Sequence, residues 1–472
     1  MRSRFDSRLA VALGGLSCSL ALSACGDDGG GNDSAAGTGT TTSAPTTGET
    51  DTPDTDDPTP MTGDEVGCPE GTLDCPCTTG GGCDPGLVCD GSSCVPETSD
   101  DTTSGTGETG STDETGDGPA ACGNGIAEAG ELCFGDTSFF GGPTQAQFAT
   151  FADLDADGHL DLLIAATVDG QVVVRMGDGT GDLGPANTFA SGPGPIALGV
   201  GLFDDNEQLD VVVAQNGGSA VAVLIGDGAG GLAPPLGFDV GTGPTALQVV
   251  DFNGDASPDV LVTNGGNNTI TYLEGTGFGF APGVPFSVGS NPRDIFVGRL
   301  TDDDNLDVVV ANRNANNVGI LLGTGVAQLG AQTTIGSGVT PTSLEVADFN
   351  NDEFLDIVTT NIGSDDLRLR YGDGTGGFGG DIPFPVATDP YSLHAVDFDG
   401  DGNMDLTMAN AGADVVTVML GTGDGLFADP QQFPVGDAPQ AMAVGDLNED
   451  GILDIVALGF ADSTLALVLS DA

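Results

Sequence analysis

One acidic turn recurs seven times in this chain at a spacing of 48 or 49 residues, and few architectures tolerate such regularity. Each copy is an apolar run, a loop of pattern D-x-[DN]-x-D-[G]-x-x-D, and a second apolar run. The loops end at Asp161, Asp210, Asp259, Asp307, Asp356, Asp405 and Asp454. A period of this length marks units that cannot bury their apolar faces alone and must stack on one another.

The unit at residues 244–289 reads as four strands: TALQVVDF, then after the acidic loop PDVLVTN, TITYLEG and, past the turn TGFGF, VPFSVG. The strands are continuous apolar runs rather than alternations, as expected of sheets covered on both faces. The expectation is an all-β fold, a seven-bladed β-propeller of four-stranded blades over residues 136–472. A linear solenoid is the rival, but it needs polar end caps, and none is visible. The last repeat stops after its third strand, TLALVLSDA. Upstream, Thr137 to Gly142 (TSFFGG) looks like a fourth strand such as QFPVG, and is predicted to complete blade seven.

Three or four carboxylates within nine residues repel one another unless a cation neutralises them. Oxygen ligands at loop positions 1, 3, 5 and 9, with a backbone carbonyl at position 7, suit Ca²⁺. Blades one (Asp153, Asp155, Asp157, His159, Asp161) and six (Asp397, Asp399, Asp401, Asn403, Asp405) carry complete sets. Blades three (Asp251, Asn253, Asp255, Ser257, Asp259), five (Asp348, Asn350, Asp352, Phe354, Asp356) and seven (Asp446, Asn448, Asp450, Ile452, Asp454) each have one Asn, which still offers oxygen. His159, Ser257, Phe354, Asn403 and Ile452 enter only through their carbonyls. Blade two has Leu202 at position 1, and blade four has Arg299 there with Thr301 at position 3, so neither is expected to hold calcium. Arg299 is read as a built-in cation beside Asp303 and Asp307, or as simply exposed.

The acidic loops, with the turns GDGTG and GDGAGG, resemble the FG-GAP or VCBS repeat of integrin α-subunit propellers and of many bacterial surface proteins. The resemblance implies a calcium-bearing propeller with the acidic loops on one face and the other inter-strand loops opposite. It implies little about function, because that repeat serves adhesins, lectin-like modules and enzyme accessory domains alike.

The N-terminal third has a different texture. Arg2, Arg4 and Arg8 precede a short apolar stretch, Leu9 to Leu22, as in a secretory signal. The tetrapeptide ending in Cys25 (LSAC) resembles the bacterial lipobox, which implies cleavage after residue 24 and a lipid on Cys25. Residues 25–66 and 97–120 are Gly, Ser, Thr, Pro and Asp, a composition with nothing to bury. Between them, residues 67–96 hold six cysteines, read as a disulfide-rich module with fifteen possible pairings. Residues 121–135 hold Cys122 and Cys133 in CGNGIAEAGELC, which looks like a short cysteine-rich repeat of myxobacterial surface proteins. The expected location is the bacterial outer membrane or cell surface.

Composition narrows the chemistry. The chain has no lysine, nine arginines and 71 acidic residues, a formal charge of −62. Such a field repels phosphate backbones, so nucleic acid is excluded as a partner, while divalent cations are favoured. Adaptation to salty surroundings gives the same composition. The two histidines, His159 and His394, lack partners in sequence that would make a catalytic case, and the Gly-Asp-Gly strings are turn residues rather than a nucleotide loop.

On the face opposite the acidic loops the sequence places Asn216–Ser219, Asn264–Asn268, Asn312–Asn317, Asn361–Asp366 and Asn410–Asp414. Arg293, Arg313 and Tyr391 fall on the same face and are the candidates for gripping an anionic or planar group. The leading expectation is a monomeric surface module that binds a glycan or protein. A polysaccharide lyase or hydrolase, and a structural coat protein without a ligand, remain open alternatives.

Overall fold

The computed structural model describes residues 87–89, 94–96, 134–135 and 137–470. The signal peptide, Cys25, the linkers, Cys122 and Cys133 lie outside the described residues, as does most of the cysteine-rich module. Two units are distinguished. In the smaller, Leu87–Cys89 pairs antiparallel with Cys94–Pro96, with Cys89 opposite Cys94.

The larger unit is the propeller. Seven four-stranded antiparallel sheets follow one another, six of them running from innermost to outermost strand in chain order. Blade three is typical: Pro244–Val250, Asp259–Asn264, Thr269–Leu273 and Val284–Ser287. In blade seven the outermost strand is Ser138–Gly141, which pairs with the third strand from Ser138↔Leu467 to Gly141↔Thr464. Phe134 extends this clasp by a bridge to Ser470 and packs edge-on against Phe433 at 4.7 Å. The clasp predicted from TSFFGG is thus present.

Packing shows independently that the ring is closed. The described core divides into seven apolar clusters, each between two consecutive blades. One of them joins Phe151, Leu162 and Ile164 of blade one to Leu447, Val456 and Leu458 of blade seven. An open array of seven units has six interfaces; the seventh exists only in a ring. The second strand of each blade is buried at all six positions. Sheets pack against both of its faces, so the sequence there has no polar alternation.

The last aspartate of every acidic loop is fully buried. In each blade one carboxylate oxygen accepts the amide of the residue seven before it, and the other accepts the amide sixteen after it. The distances are 2.8 and 3.0 Å at Asp161, 2.9 and 2.7 Å at Asp307, and 2.8 Å twice at Asp454. Asp210, Asp259, Asp356 and Asp405 repeat the arrangement. This carboxylate therefore ties the end of the first strand to the end of the third. Loop position 2, which donates the first amide, is Leu or Phe in all seven blades and is buried between blades.

The innermost strands line a central channel and share no hydrogen-bonded ladder with each other. Side chains span the gaps instead. Thr245 and Thr342 donate to the carbonyls of Pro292 and Pro390 in the next blade, at 2.7 and 2.9 Å. The Gln248 amide both donates to the Val297 carbonyl and accepts from the Val297 amide, at 3.3 and 2.7 Å. Six of the seven inner strands begin with proline, which an edge strand tolerates at its first residue. The residue before each proline has positive φ, including Thr340 at 59°. A β-branched residue in that region ahead of a proline is strained.

Two stability tests follow. Asp307→Ala in blade four, which lacks the ligands at positions 1 and 3, leaves the Leu300 and Gly323 amides without acceptors. It should cost roughly 2–6 kcal/mol by denaturant titration, with or without calcium; a loss under 1 kcal/mol rejects the structural role of this aspartate. Thr340→Gly should raise the denaturation midpoint, by up to about 1 kcal/mol, as strain is released; a lower midpoint rejects the strain.

Candidate functional site

The five loops with a carboxylate at position 1 share one backbone design. That carboxylate accepts the position-6 amide in all five and the position-5 amide as well in blades one, three, five and seven: Asp153 takes those of Asp157 and Gly158, both at 3.1 Å. The amide at position 7 donates to the carboxylate at position 5 in all five predicted sites, from His159, Ser257, Phe354, Asn403 and Ile452, at 2.7–2.9 Å. Backbone atoms do the work there, so the side chain at position 7 varies freely. His159 turns its ring outward and bonds across the blade seven/blade one seam to Glu449.

The five loops divide into two groups. In blade one, Asp153, Asp155 and Asp161 bring carboxylate oxygens within 4.8 Å of one another; in blade six Asp397, Asp399 and Asp405 do the same. These all-oxygen clusters can hold a metal ion. Asp397 Oδ1 supports that fit, being shielded from water with no hydrogen-bond donor. Blades three, five and seven bring no such triad together among the described residues. There the position-3 asparagine turns its Nδ2 to the position-5 carboxylate, from Asn253 to Asp255, Asn350 to Asp352 and Asn448 to Asp450, at 3.0–3.1 Å. The amide serves as an internal donor where blades one and six have a third carboxylate. Asp251, Asp348 and Asp446 keep the position-1 role.

Burial raises the pKa of the position-9 carboxyls, to about 6 for Asp161 and Asp356 and about 7 for Asp405, against their two amide hydrogen bonds. Blades two and four keep the turn without position 1, through Asp204 with the Asn206 amide and Asp303 with the Asn305 amide, each 2.8 Å. Arg299 does not serve as the expected internal cation beside Asp303 and Asp307. Its guanidinium lies exposed, 3.8 Å from Asp304, and both Asp307 oxygens face backbone amides.

The opposite face corrects the sequence in one respect. Asn264, Asn312, Asn361 and Asn410 are not presented to solvent; each ends a second strand, fully buried. Their Nδ2 groups bond within the blade, as from Asn264 to Thr271 and from Asn410 to Thr417. The exposed tips begin one residue later.

Between the inner strands lies a cavity of about 210 Å³, lined at its loop end by Arg293 and Tyr391 and deeper by Asp294, Glu345 and His394. Strand register fixes that order. Pro292 pairs with Asn312 at the loop end and Gly298 with Asp307 at the acidic end, so Arg293 sits at the mouth opposite the acidic loops. Arg313 opens a 3₁₀ turn, Arg313–Ala315, close enough that its charge, after burial, helps lower the pKa of Arg293. The three residues predicted from separate loops therefore converge.

Asp294 does not bond to either arginine. Its Oδ2 accepts from Ser343 Oγ at 2.7 Å and the Leu344 amide at 2.9 Å, a tie between blades four and five that sequence reading missed. His394 Nε2 bonds to the Met442 carbonyl at 3.2 Å, and its Nδ1 lies 4.0 Å from Glu345 Oε1. Burial, reinforced by Asp294, pushes the Glu345 pKa well above the carboxylate range, while burial lowers that of His394. A polar residue every second place along inner strands five and six was the available signal for this group.

Comparison with known proteins agrees with this architecture. The FG-GAP-like repeat profile matches residues 203–262, 251–310, 299–359, 349–408 and 397–457, together more than half of the chain. No curated protein sequence is significantly similar. Among solved structures, BBS1N in complex with ARL6DN is 18% identical with a TM-score of 0.53, covering 71% of this chain and 96% of that one. Streptogramin B lyase is 13% identical (TM-score 0.49; 73% and 100% covered), and the periplasmic gluconolactonase PpgL of Pseudomonas aeruginosa 17% (0.48; 62% and 86%). At these identities the likeness is one of fold. The repeat matches, the seven clasped blades and the acidic loops together make this chain a member of the FG-GAP-like repeat family.

Proposed function

We propose that the protein is an exported surface module, held by a lipid on Cys25, whose propeller binds calcium at its acidic loops and recognises an extracellular glycan or protein on the opposite face. The observation that carries this reading is Arg293 and Tyr391 lining a cavity mouth, with Arg313 on an adjoining loop near enough for its charge to act on Arg293. A shaped cavity with a few convergent polar groups is the usual form of a binding site. BBS1N, a propeller of this fold, was crystallised in complex with ARL6DN.

Calcium belongs to the stability of the scaffold in this reading. The residues that would hold it are those of the five predicted loops, blades one and six first. A bound ion neutralises carboxylates that otherwise repel, and joins the first strand to the second where the chain reverses.

The pH dependence has a definite sign. A buried carboxyl with a raised pKa keeps a proton in the folded state that the unfolded chain has already released. Without calcium, stability should therefore fall as pH rises from about 4 towards 7. Calcium binds the charged form and should oppose that fall, adding about 2.7 kcal/mol per site at a hundredfold excess over Kd. Melting curves in chelator and in calcium at pH 4.5 and 7 test this; equal melting temperatures at pH 7 reject calcium as a ligand.

A screen of the purified full chain in calcium against neutral and acidic glycans and matrix proteins tests recognition. Selective hits that weaken when Arg293 or Arg313 becomes Gln are expected. Failure to bind anything in a broad screen rejects the recognition role.

A further inference from the structure

The chain carries 71 acidic residues, so an arginine without an acidic partner is unexpected. Arg368 pairs with Asp366 and Asp381, Arg370 with Asp381, and Arg299 lies near Asp304. Arg175 donates to the carbonyls of Gly184 and Gly141. Among the described residues, Arg293 and Arg313 are the exceptions: neither guanidinium has an ion pair or a hydrogen bond. They are neighbours, each half-buried and each repelling the other. Asp294, next to Arg293 in sequence, is committed to Ser343 and Leu344. Arg293 lines the cavity mouth and Arg313 lies near enough for the two charges to repel; Asp294 attracts Arg293 without bonding to it, so the ten N–H donors of the pair have no hydrogen-bond acceptor.

The cavity below them limits what can enter. Its 210 Å³ equals about seven waters at liquid density, and falls below the ~300–1,000 Å³ of drug-sized sites. That is room for one ring with its substituents, entered end-on, and too little for a run of polymer. Tyr391 offers a flat apolar face beside Arg293. Deeper, Glu345 has no hydrogen bond, and at 4.0 Å its oxygen and His394 Nδ1 are too far apart to bond directly. Both are left able to bond a hydroxyl placed between them. Burial pushes the Glu345 pKa well above the carboxylate range and lowers that of His394, so both groups are biased towards the uncharged forms that repel an anion least.

We infer that the channel mouth is a site for the terminal residue of an acidic glycan, a hexuronate whose carboxylate sits on Arg293 and Arg313, whose ring lies on Tyr391 and whose hydroxyls reach Glu345 and His394. The inference rests on the recognition reading above and names its ligand class. A carboxylate supplies the charge that the arginine pair lacks, in the bidentate geometry guanidinium groups favour. Sugar hydroxyls supply partners for the deeper groups. A protein C-terminus offers the carboxylate but not the ring of hydroxyls.

The test is calorimetry on the full chain in calcium, with a disaccharide ending in glucuronate and the matching disaccharide ending in glucose. The glucuronate probe should bind at least ten times more tightly, and its affinity should fall as salt rises. Arg293→Gln and Arg313→Gln should each cost tenfold or more, and Glu345→Gln less. Arg299→Gln, on the opposite face, should leave binding unchanged, and melting temperatures identify any variant that fails to fold. Equal affinity for the two disaccharides, no binding of the glucuronate probe, or undiminished binding by both folded Arg293 and Arg313 variants overturns the inference. So does equally tight binding of a tripeptide with a free C-terminal carboxylate. If the acidic probe fails while another glycan or protein binds the same face, this inference falls and the recognition reading stands.

Discussion

A single buried carboxylate per blade organises this molecule. Taking a carboxyl out of water is costly, and each position-9 aspartate offsets that cost by accepting one amide at the end of the first strand and another beyond the third. No other side chain at that place would satisfy both donors. The aspartate persists in blades two and four, where the position-1 carboxylate is lost. The seven-fold period is thus first a record of strand geometry. The carboxylate clusters that could hold a metal ion are built on it in blades one and six.

This explains why the architecture was legible in the sequence and the chemistry only partly so. Repeat length, the runs of buried valine, leucine and isoleucine, and the TSFFGG clasp are local facts, and the structure reproduces each. Position 9 was read as a metal ligand, and Asp161 and Asp405 do stand in all-oxygen clusters; its tie to two amides was not legible, because a carboxylate in an acidic loop looks the same whether it faces an ion, two amides or both. The asparagines at the ends of the second strands were read as surface for a similar reason. Polar residues next to loops are usually exposed, but here Asn264, Asn312, Asn361 and Asn410 lie under the neighbouring blade. The polar positions of Glu345 and His394 on their inner strands were legible, but their grouping with Asp294 was not, because the three stand about 50 residues apart and meet only when the ring closes.

Closure also decides where the polar chemistry of the channel can sit. The inner strands have unpaired edges, and the sequence covers them with side chains: threonines and a glutamine that bond across to the next blade, and prolines that lack an amide to satisfy. Blades three to seven supply most of these ties. Inner-strand positions not needed for such ties are free to carry other groups, and on blades four, five and six they carry Arg293, Glu345 and Tyr391.

The distribution of charge bears most directly on recognition. A chain at −62 surrounds itself with a field that repels anions, so an anion-selective site has to overcome that field locally. Half-burial of the arginine pair in the mouth of a low-dielectric channel strengthens its attraction at short range, while the acidic loops lie at the far end of the inner strands. Burial biases Glu345 and His394 towards their uncharged forms, which limits how far the floor cancels it. Long-range repulsion with short-range attraction selects for ligands that can be pushed into contact by their own shape or by attachment to a larger chain. At physiological ionic strength the repulsion from the distant carboxylates is already largely screened, so the salt dependence that remains is that of the arginine contact, which weakens as salt rises.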